Sequence, residues 1–362
     1  MSSLKITNLF NRLKYSKNKR KYLTPSYLRD FCRDQSMHTP NTQNKVINAK
    51  IFWHTFKVNG FEIQSHIFAN NCRILSPKGK RLAWGTDDMV LSPLLRYVNE
   101  RNHLNNCPPS EYGLVLCGGG AKGAYQIGVW KYLRENGIDK KINGISGSSV
   151  GSLNALLIAN NSFGPGIRTW LNAKSNVLTD QNKLAELIWQ NISDWKNIIS
   201  DKWNLYADVS KIAPLNDYNK PYEVLRHYIS KTEYFCMSCM TPEEIVQTVL
   251  ASAALPAVYP PVKINGRIYI DGGITDNIPV APLVKAGYKK IIIVHLDPES
   301  ENEDKRFINA IHRLDISDIK FIHIYPSEDL TPIDMFTLNR SHTEKLIRLG
   351  YKDAQSDQST TS

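Results

Sequence analysis

The chain has 362 residues, 42% hydrophobic and 22% charged, a composition that suits a globular protein with a sizeable core and excludes a collagen-like or charge-dominated disordered chain. The formal net charge of +11 is one-sided, because residues 1–110 hold 18 Lys and Arg against 6 Asp and Glu while the rest hold 27 against 28. No apolar run reaches the ~18 residues of a spanning helix, and no signal-peptide core follows the basic start, so neither a transmembrane segment nor a signal peptide is expected.

The first 21 residues carry seven Lys and Arg and no acid. Leu4, Leu9, Phe10 and Leu13 form an apolar stripe at helical spacing, flanked by Lys5, Arg12 and Lys14. Such a segment is drawn to an anionic membrane surface; a disordered tail, a transit peptide or a nucleic-acid patch are the other readings, and no nucleic-acid partner is expected. Next, Ile51–Val58 and Phe61–Phe68 flank Asn59-Gly60, the strongest short hairpin signal. A second pair, Cys72–Leu75 and Arg81–Trp84, surrounds Pro77–Lys80. A helix over Pro93–Asn102 and a linker through Cys107-Pro108-Pro109-Ser110 follow. Residues 1–110 therefore read as a basic N-terminal region, a tail plus a small β module.

From residue 111 the pattern changes. The apolar run Gly113–Cys117 ends in Gly118-Gly119-Gly120-Ala121-Lys122-Gly123, which opens a helix over Ala124–Glu135. Consecutive glycines at a helix start leave backbone N–H groups unshielded, a cradle for an anion. A Walker register does not fit, since Lys122 precedes the last glycine, and the next strand offers no acidic residue for a dinucleotide. An oxyanion hole is the favoured reading. The next strand, Ile142–Ile145, runs into Gly147-Ser148-Ser149-Val150-Gly151 and a helix over 150–160. This strand–turn–helix lifts the Ser149 hydroxyl to the apex of a sharp turn at a helix N-terminus, with Gly147 and Gly151 allowing the close approach.

Residues 163–230 read as mostly helical, with Trp170, Trp189, Trp195 and Trp203 serving a core, a lid or an acyl groove. Six cysteines, at 32, 72, 107, 117, 236 and 239, show no framework spacing, which points to a reducing, cytoplasmic setting. Cys236 and Cys239 fall in an expected strand, Tyr234–Met240, whose alternation puts them on opposite faces. Thr241-Pro242-Glu243-Glu244 is a capping box that starts a helix. The hairpin Val262–Ile264 and Arg267–Ile270 around Asn265-Gly266 delivers Asp271-Gly272-Gly273. Ile291–Leu296 suits a central parallel strand, Phe321–Tyr325 a further strand, and Ser341–Lys352 a closing helix. Residues 356–362 read as a disordered tail.

The glycine loop, the serine turn and Asp271-Gly272-Gly273, in this order, resemble the patatin-like phospholipase family. So do Ala251-Ser252-Ala253-Ala254-Leu255-Pro256-Ala257-Val258-Tyr259-Pro260-Pro261-Val262 and the run from Asp271 to Val280. The resemblance is strong over residues 111–296 and weaker to about 355. It implies a three-layer α/β/α domain over 111–355 with a mainly parallel sheet. It further implies Ser149 as nucleophile, Asp271 as its partner in a serine–aspartate dyad, and Gly118, Gly119 and Gly120 as oxyanion-hole donors. Lys122, Gly123, Gly147, Gly151, Gly272 and Gly273 support those motifs.

The chemistry has its own logic. A serine hydroxyl needs a base in the transition state. A free aspartate, with a pKa of about 3.9, is a weak one, and burial would raise it. Lys122 would steady the loop or an anionic head group. The expected activity is that of a lipid acyl hydrolase of phospholipase A or lysophospholipase type, working through an acyl-Ser149. It takes a phospholipid or other acyl-ester lipid at an anionic membrane surface, with no metal or cofactor and with a protein activator left open. The alternatives are an α/β-hydrolase triad completed by His295 and a catalytically silent membrane-binding module.

Overall fold

The computed structural model describes residues 10–36, 50–160, 163–173, 175–212 and 229–356. The chain divides into two units, residues 1–105 with 265–267 and residues 106–264 with 268–362.

In the first unit, β1 (Trp53–Val58), β2 (Phe61–His66), β3 (Cys72–Leu75) and β4 (Arg81–Gly85) form an antiparallel meander in that order. The β1–β2 turn holds Asn59 at φ 48° and Gly60 at φ 82°, the left-handed pair that a two-residue hairpin needs. The expected strands are clipped at one end: Ile51 and Phe52 belong to a 3₁₀ turn, and Ile67 and Phe68 lie beyond the pairing. Helix α1 (Pro25–Ser36) was not expected, and α2 (Asp87–Asn106) is twice the length read from the sequence because it runs through Pro93. Proline has no N–H to give the carbonyl four residues back; that carbonyl, on Met89, is taken by the Arg267 guanidinium at 3.1 Å.

The unit's core joins Phe10, Leu13, Leu23 and Leu28 to Phe56, Ile63, Ile74, Val90 and Leu94. This corrects the N-terminal reading. Phe10 and Leu13 are claimed by a protein core and are not offered to a membrane, while Leu4 and Leu9 lie outside the described residues. Among the described residues no helix is long and apolar enough to cross a membrane.

The second unit is built on an eight-stranded sheet. β5 (Tyr112–Leu116), β6 (Ile142–Gly147), β7 (Asn204–Ile212), β11 (Lys290–Val294) and β12 (Lys320–Ile324) run parallel in the order β12-β11-β5-β6-β7. Alternation sends their side chains to two cores. Leu114, Leu116, Ile292 and Val294 face α3 (Ala124–Glu135), α4 (Val150–Ala159), α7 (Pro242–Ser252) and α10 (Arg340–Ser356). Val115, Ile291 and Ile293 face α8 (Ala281–Ala286) and α9 (Glu301–Ile311). The result is a three-layer α/β/α arrangement with a mainly parallel sheet.

The segment 163–230 departs from its helical reading. It holds α5 (Phe163–Asn172), α6 (Gln181–Asn191) and a short helix Trp195–Ile198, but then enters β7, all nine residues of which are buried. The polar residues Asn204, Asp208, Ser210 and Lys211 hide this strand from a hydrophobicity reading. Residues 213–228 of the same segment lie outside the described residues, as does the expected tail apart from Ser356, which ends α10. β8 (Ile229–Cys236) then pairs antiparallel along one edge of β7 over Tyr206–Ile212.

Helices α3 and α10 touch through glycine. A Cβ on Gly128 would land on the Ile347 carbonyl, and one on Gly350 on the Tyr125 carbonyl. Gly128→Val should therefore force the pair apart and destabilise the domain by about 3 kcal/mol, the upper end for overpacking. Urea unfolding would read this as a lower midpoint with the slope retained; an unmoved midpoint would contradict the close contact.

Candidate active site

Strand β7 brings the two expected catalytic residues together. Since β8 occupies one edge of β7, β6 and β10 (Arg267–Ile270), which carries the short strand β9 (Val262–Ile264) beyond it, must share the other. β6 pairs with it up to Gly147↔Ala207, and β10 pairs antiparallel from Ile268↔Ile212 to Ile270↔Ser210. The chain thus leaves β6 into the serine turn, and leaves β10 into Asp271, facing one short stretch of the same strand.

Ser149 sits at φ 50°, ψ −119° at the head of α4, a sparsely populated conformation for a residue with a side chain. Its neighbours hold it there. Its backbone N–H donates to Ser252 Oγ at 2.9 Å, and its carbonyl accepts from Ser152 Oγ at 2.6 Å. A Cβ on Gly147 would strike the Gly151 carbonyl, and one on Gly151 the Leu116 carbonyl, so only glycine lets the strand and helix meet so closely.

Asp271 is buried, 5% exposed. Its Oδ1 accepts the Gly273 N–H at 2.8 Å, and the Ser149 hydroxyl hydrogen-bonds the carboxylate. Burial, the largest influence, pushes its pKa up to about 6, against the opposing pull of those two bonds. Asp208 on β7 is fully buried beneath it and accepts from Ser148 Oγ at 3.3 Å. A Cβ on Gly272 would collide with the Asp208 carboxyl, which explains the second glycine of that turn. Burial, with Asp276 and Asp271 nearby, holds Asp208 well above the usual carboxylate range. Asp276, raised by burial to about 6, accepts from Tyr234 OH at 2.6 Å.

The glycine loop lies beside Ser149. Its three amides are not equivalent. Gly118 N–H already donates to Asn277 Oδ1 at 3.1 Å, and a Cβ there would be 2.5 Å from that oxygen. The amides of Gly119 and Gly120 have no partner among the described residues. Gly120, at φ 58°, also backs onto the Met335 carbonyl. The loop is braced from below by a buried chain: Gln126 Nε2 donates to Cys117 O, and Asn154 Nδ2 to Gly123 O and Gln126 Oε1. Lys122 is buried and pairs with Asp297 at 2.5 Å, which makes it a fixed part of the loop.

Ser149, Asp271 and the glycine loop open into one cavity of about 260 Å³. Its walls are mostly apolar: Leu153 of α4, Trp170 of α5, Leu184 of α6, Val249 of α7, and Leu255, Val258 and Leu338. The segment expected to give a core, a lid or an acyl groove thus supplies one wall. Trp170 is buried there with Nε1 on Asn154 Oδ1 at 2.9 Å, whereas Trp189 is exposed and packs on Trp195.

His295 has no part in this arrangement. Its ring nitrogens meet Glu303 and His323, each at 3.0 Å, it is fully buried, and it does not line the cavity. Cys236 and Cys239 correct the sequence reading: β8 ends at Cys236, and the 3₁₀ turn Met237–Cys239 swings the second sulfur back to 3.1 Å from the first. The residues that sequence reasoning missed are Ser252, Asn277 and Asp208. The first two lie inside the stretches that carried the family resemblance; Asp208 had no motif signal.

Comparison with known proteins bears on the same segment. A family model described as patatin-like phospholipase matches residues 114–284. Lysophospholipase NTE1 of Candida glabrata is 27% identical over 219 residues, covering 55% of this chain and 11% of that protein. Its counterpart in Meyerozyma guilliermondii is 29% identical over 201 residues, covering 50% and 12%. The crystal structure of VipD from Legionella pneumophila aligns with a TM-score of 0.35 at 13% identity, covering 70% of this chain and 67% of that one. The chain therefore spans only about a tenth of the length of the curated relatives it matches.

Proposed function

With residues 114–284 a domain of the patatin-like phospholipase family, we propose that the chain is a lipid acyl hydrolase that cleaves carboxylic esters through an acyl-Ser149. The observation that carries this reading is one apolar cavity with Ser149, hydrogen-bonded to a buried Asp271, at its polar end beside two unengaged amides. An acyl chain lies along the apolar walls, and its ester carbonyl meets Ser149 Oγ. As Oγ attacks the carbonyl carbon, its proton passes to the Asp271 carboxylate. The carbonyl oxygen, now an oxyanion, is held by the Gly119 and Gly120 amides, each donor of this kind contributing on the order of 3 kcal/mol. Gly118 shapes the loop through Asn277.

Collapse of the tetrahedral intermediate breaks the ester C–O bond. The Asp271 proton moves to the departing alcohol oxygen and leaves acyl-Ser149. Water then attacks the acyl carbon, Asp271 takes its proton and returns it to Ser149 Oγ, and the fatty acid leaves. The raised pKa of Asp271 suits this shuttle, because a base nearer the working pH both accepts and returns a proton more readily.

The named relatives are lysophospholipases, which favours a lysophospholipid or phospholipid as substrate. The excess of Lys and Arg in residues 1–110 supports attraction of that region to an anionic membrane surface, through exposed Lys and Arg and not through Phe10 or Leu13. Incubating the protein with a short-chain p-nitrophenyl ester and with lysophosphatidylcholine tests the reading. Release of p-nitrophenol and free fatty acid, both blocked by a fluorophosphonate, is the expected result. A well-folded preparation that hydrolyses neither would overturn it.

A further inference from the structure

The cavity has a second polar feature that the acyl-transfer steps leave unused. Lys122, Asp297 and Arg306 line the same cavity as Ser149. Asp297 is shared, with Oδ1 on Lys122 Nζ at 2.5 Å and Oδ2 on Arg306 NH1 at 2.9 Å. The same Arg306 nitrogen meets Glu303, whose other carboxylate oxygen meets His295. Glu303 is buried, while the Arg306 side chain is half exposed.

Arg306 is therefore pinned through a single nitrogen. Its Nε and second terminal nitrogen have no partner among the described residues. A guanidinium held by carboxylates on one side keeps a fixed orientation and turns its remaining N–H groups outward. That fork matches the paired oxygens of a phosphate, and an ammonium does not reproduce it. The two cations are matched by two carboxylates, so the site exerts little net pull at a distance. Its selectivity must come from short, directed hydrogen bonds at the cavity mouth.

We propose that Arg306 forms a subsite for the phosphodiester of a phospholipid head group, so that esters carrying this anion are selected over neutral glycerides. This rests on the acyl-hydrolase reading of Ser149 and Asp271. A phosphodiester keeps its negative charge throughout the neutral range, whereas a monoacylglycerol has only hydroxyls to offer and gains little from a charged fork. Lys122 lies deeper, closed onto Asp297, and serves to hold the carboxylate that aims Arg306.

The test uses the full chain and monomeric substrates, hexanoyl-lysophosphatidylcholine and hexanoylglycerol, with p-nitrophenyl butyrate as a reference ester. For Arg306→Ala the ratio of kcat/KM, lysophospholipid over glyceride, should fall about tenfold and through KM, the scale of one charge-assisted contact at a half-exposed site. Arg306→Lys, which keeps the charge without the fork, should recover part of that loss. Glycerophosphocholine should inhibit p-nitrophenyl butyrate hydrolysis by the wild type more than by Arg306→Ala, and inorganic phosphate should not. An unchanged ratio in a folded Arg306→Ala overturns the subsite, as does an equal loss on both substrates. Inhibition by inorganic phosphate alone would make this a free-anion site and also overturn the proposal. If the wild type hydrolyses p-nitrophenyl butyrate but shows no preference for the lysophospholipid, only the subsite falls; if it hydrolyses no ester, the hydrolase reading falls first.

Discussion

Ser149→Ala should lower turnover by on the order of 10⁶-fold, the scale seen when a serine nucleophile is removed from an intact site. The substitution takes away one oxygen and leaves the turn, the cavity and the glycine loop in place. A fluorophosphonate probe should label the wild type and not the variant; persistent labelling, or labelling moved to Ser146 or Ser148, would place the nucleophile elsewhere. The strained backbone at φ 50°, ψ −119° adds a second readout. Ser149→Gly should be as inactive as the alanine variant yet melt higher, because glycine relieves a conformation that costs about 1–3 kcal/mol for other residues. A serine kept at this cost, and tied down by Ser252 and Ser152, suits the proposed nucleophile better than a packing role.

The elements most legible in the sequence were those where a local pattern and a tertiary need coincide. Asn59-Gly60 specifies its hairpin because the turn demands two left-handed residues. Gly147, Gly151 and Gly272 announce the site because three close approaches exclude a Cβ. β7 was illegible for the opposite reason. Its buried Asn204, Asp208, Ser210 and Lys211 have partners that come from distant parts of the chain: Asn204 meets Tyr288, and Ser210 meets Thr275. No window of sequence contains both halves of such a pair, so the strand reads as polar while the fold makes it central. The N-terminal stripe failed likewise. An apolar helical face looks the same whether it will meet lipid or protein, and only the β1–β2 hairpin and α2 decide for Phe10 and Leu13. The distinct states of the three loop amides were invisible too, since Asn277 reaches Gly118 across 159 residues of sequence.

Asp271→Asn should cost on the order of 10³–10⁴-fold in kcat, as expected when a positioned base is replaced by a shape-matched group that cannot take a proton. The amide oxygen can still accept the Gly273 N–H, so the turn should survive and the melting temperature should change little. The pH profile carries the stronger evidence. Burial raises the Asp271 pKa to about 6, and the base must be deprotonated to act. Activity of the wild type should therefore rise with pH, reach half its plateau near pH 6, and fall through one protonation below it. His295→Gln should keep most of the turnover and the same acid limb, since His295 meets Glu303 and His323 away from the cavity. The result that would unseat Asp271 is an Asp271→Asn protein with substantial turnover beside a folded His295→Gln protein as inactive as Ser149→Ala. An acid limb near the free aspartate value of about 3.9 would instead keep Asp271 as base but show that water reaches it, removing the desolvation on which its basicity depends.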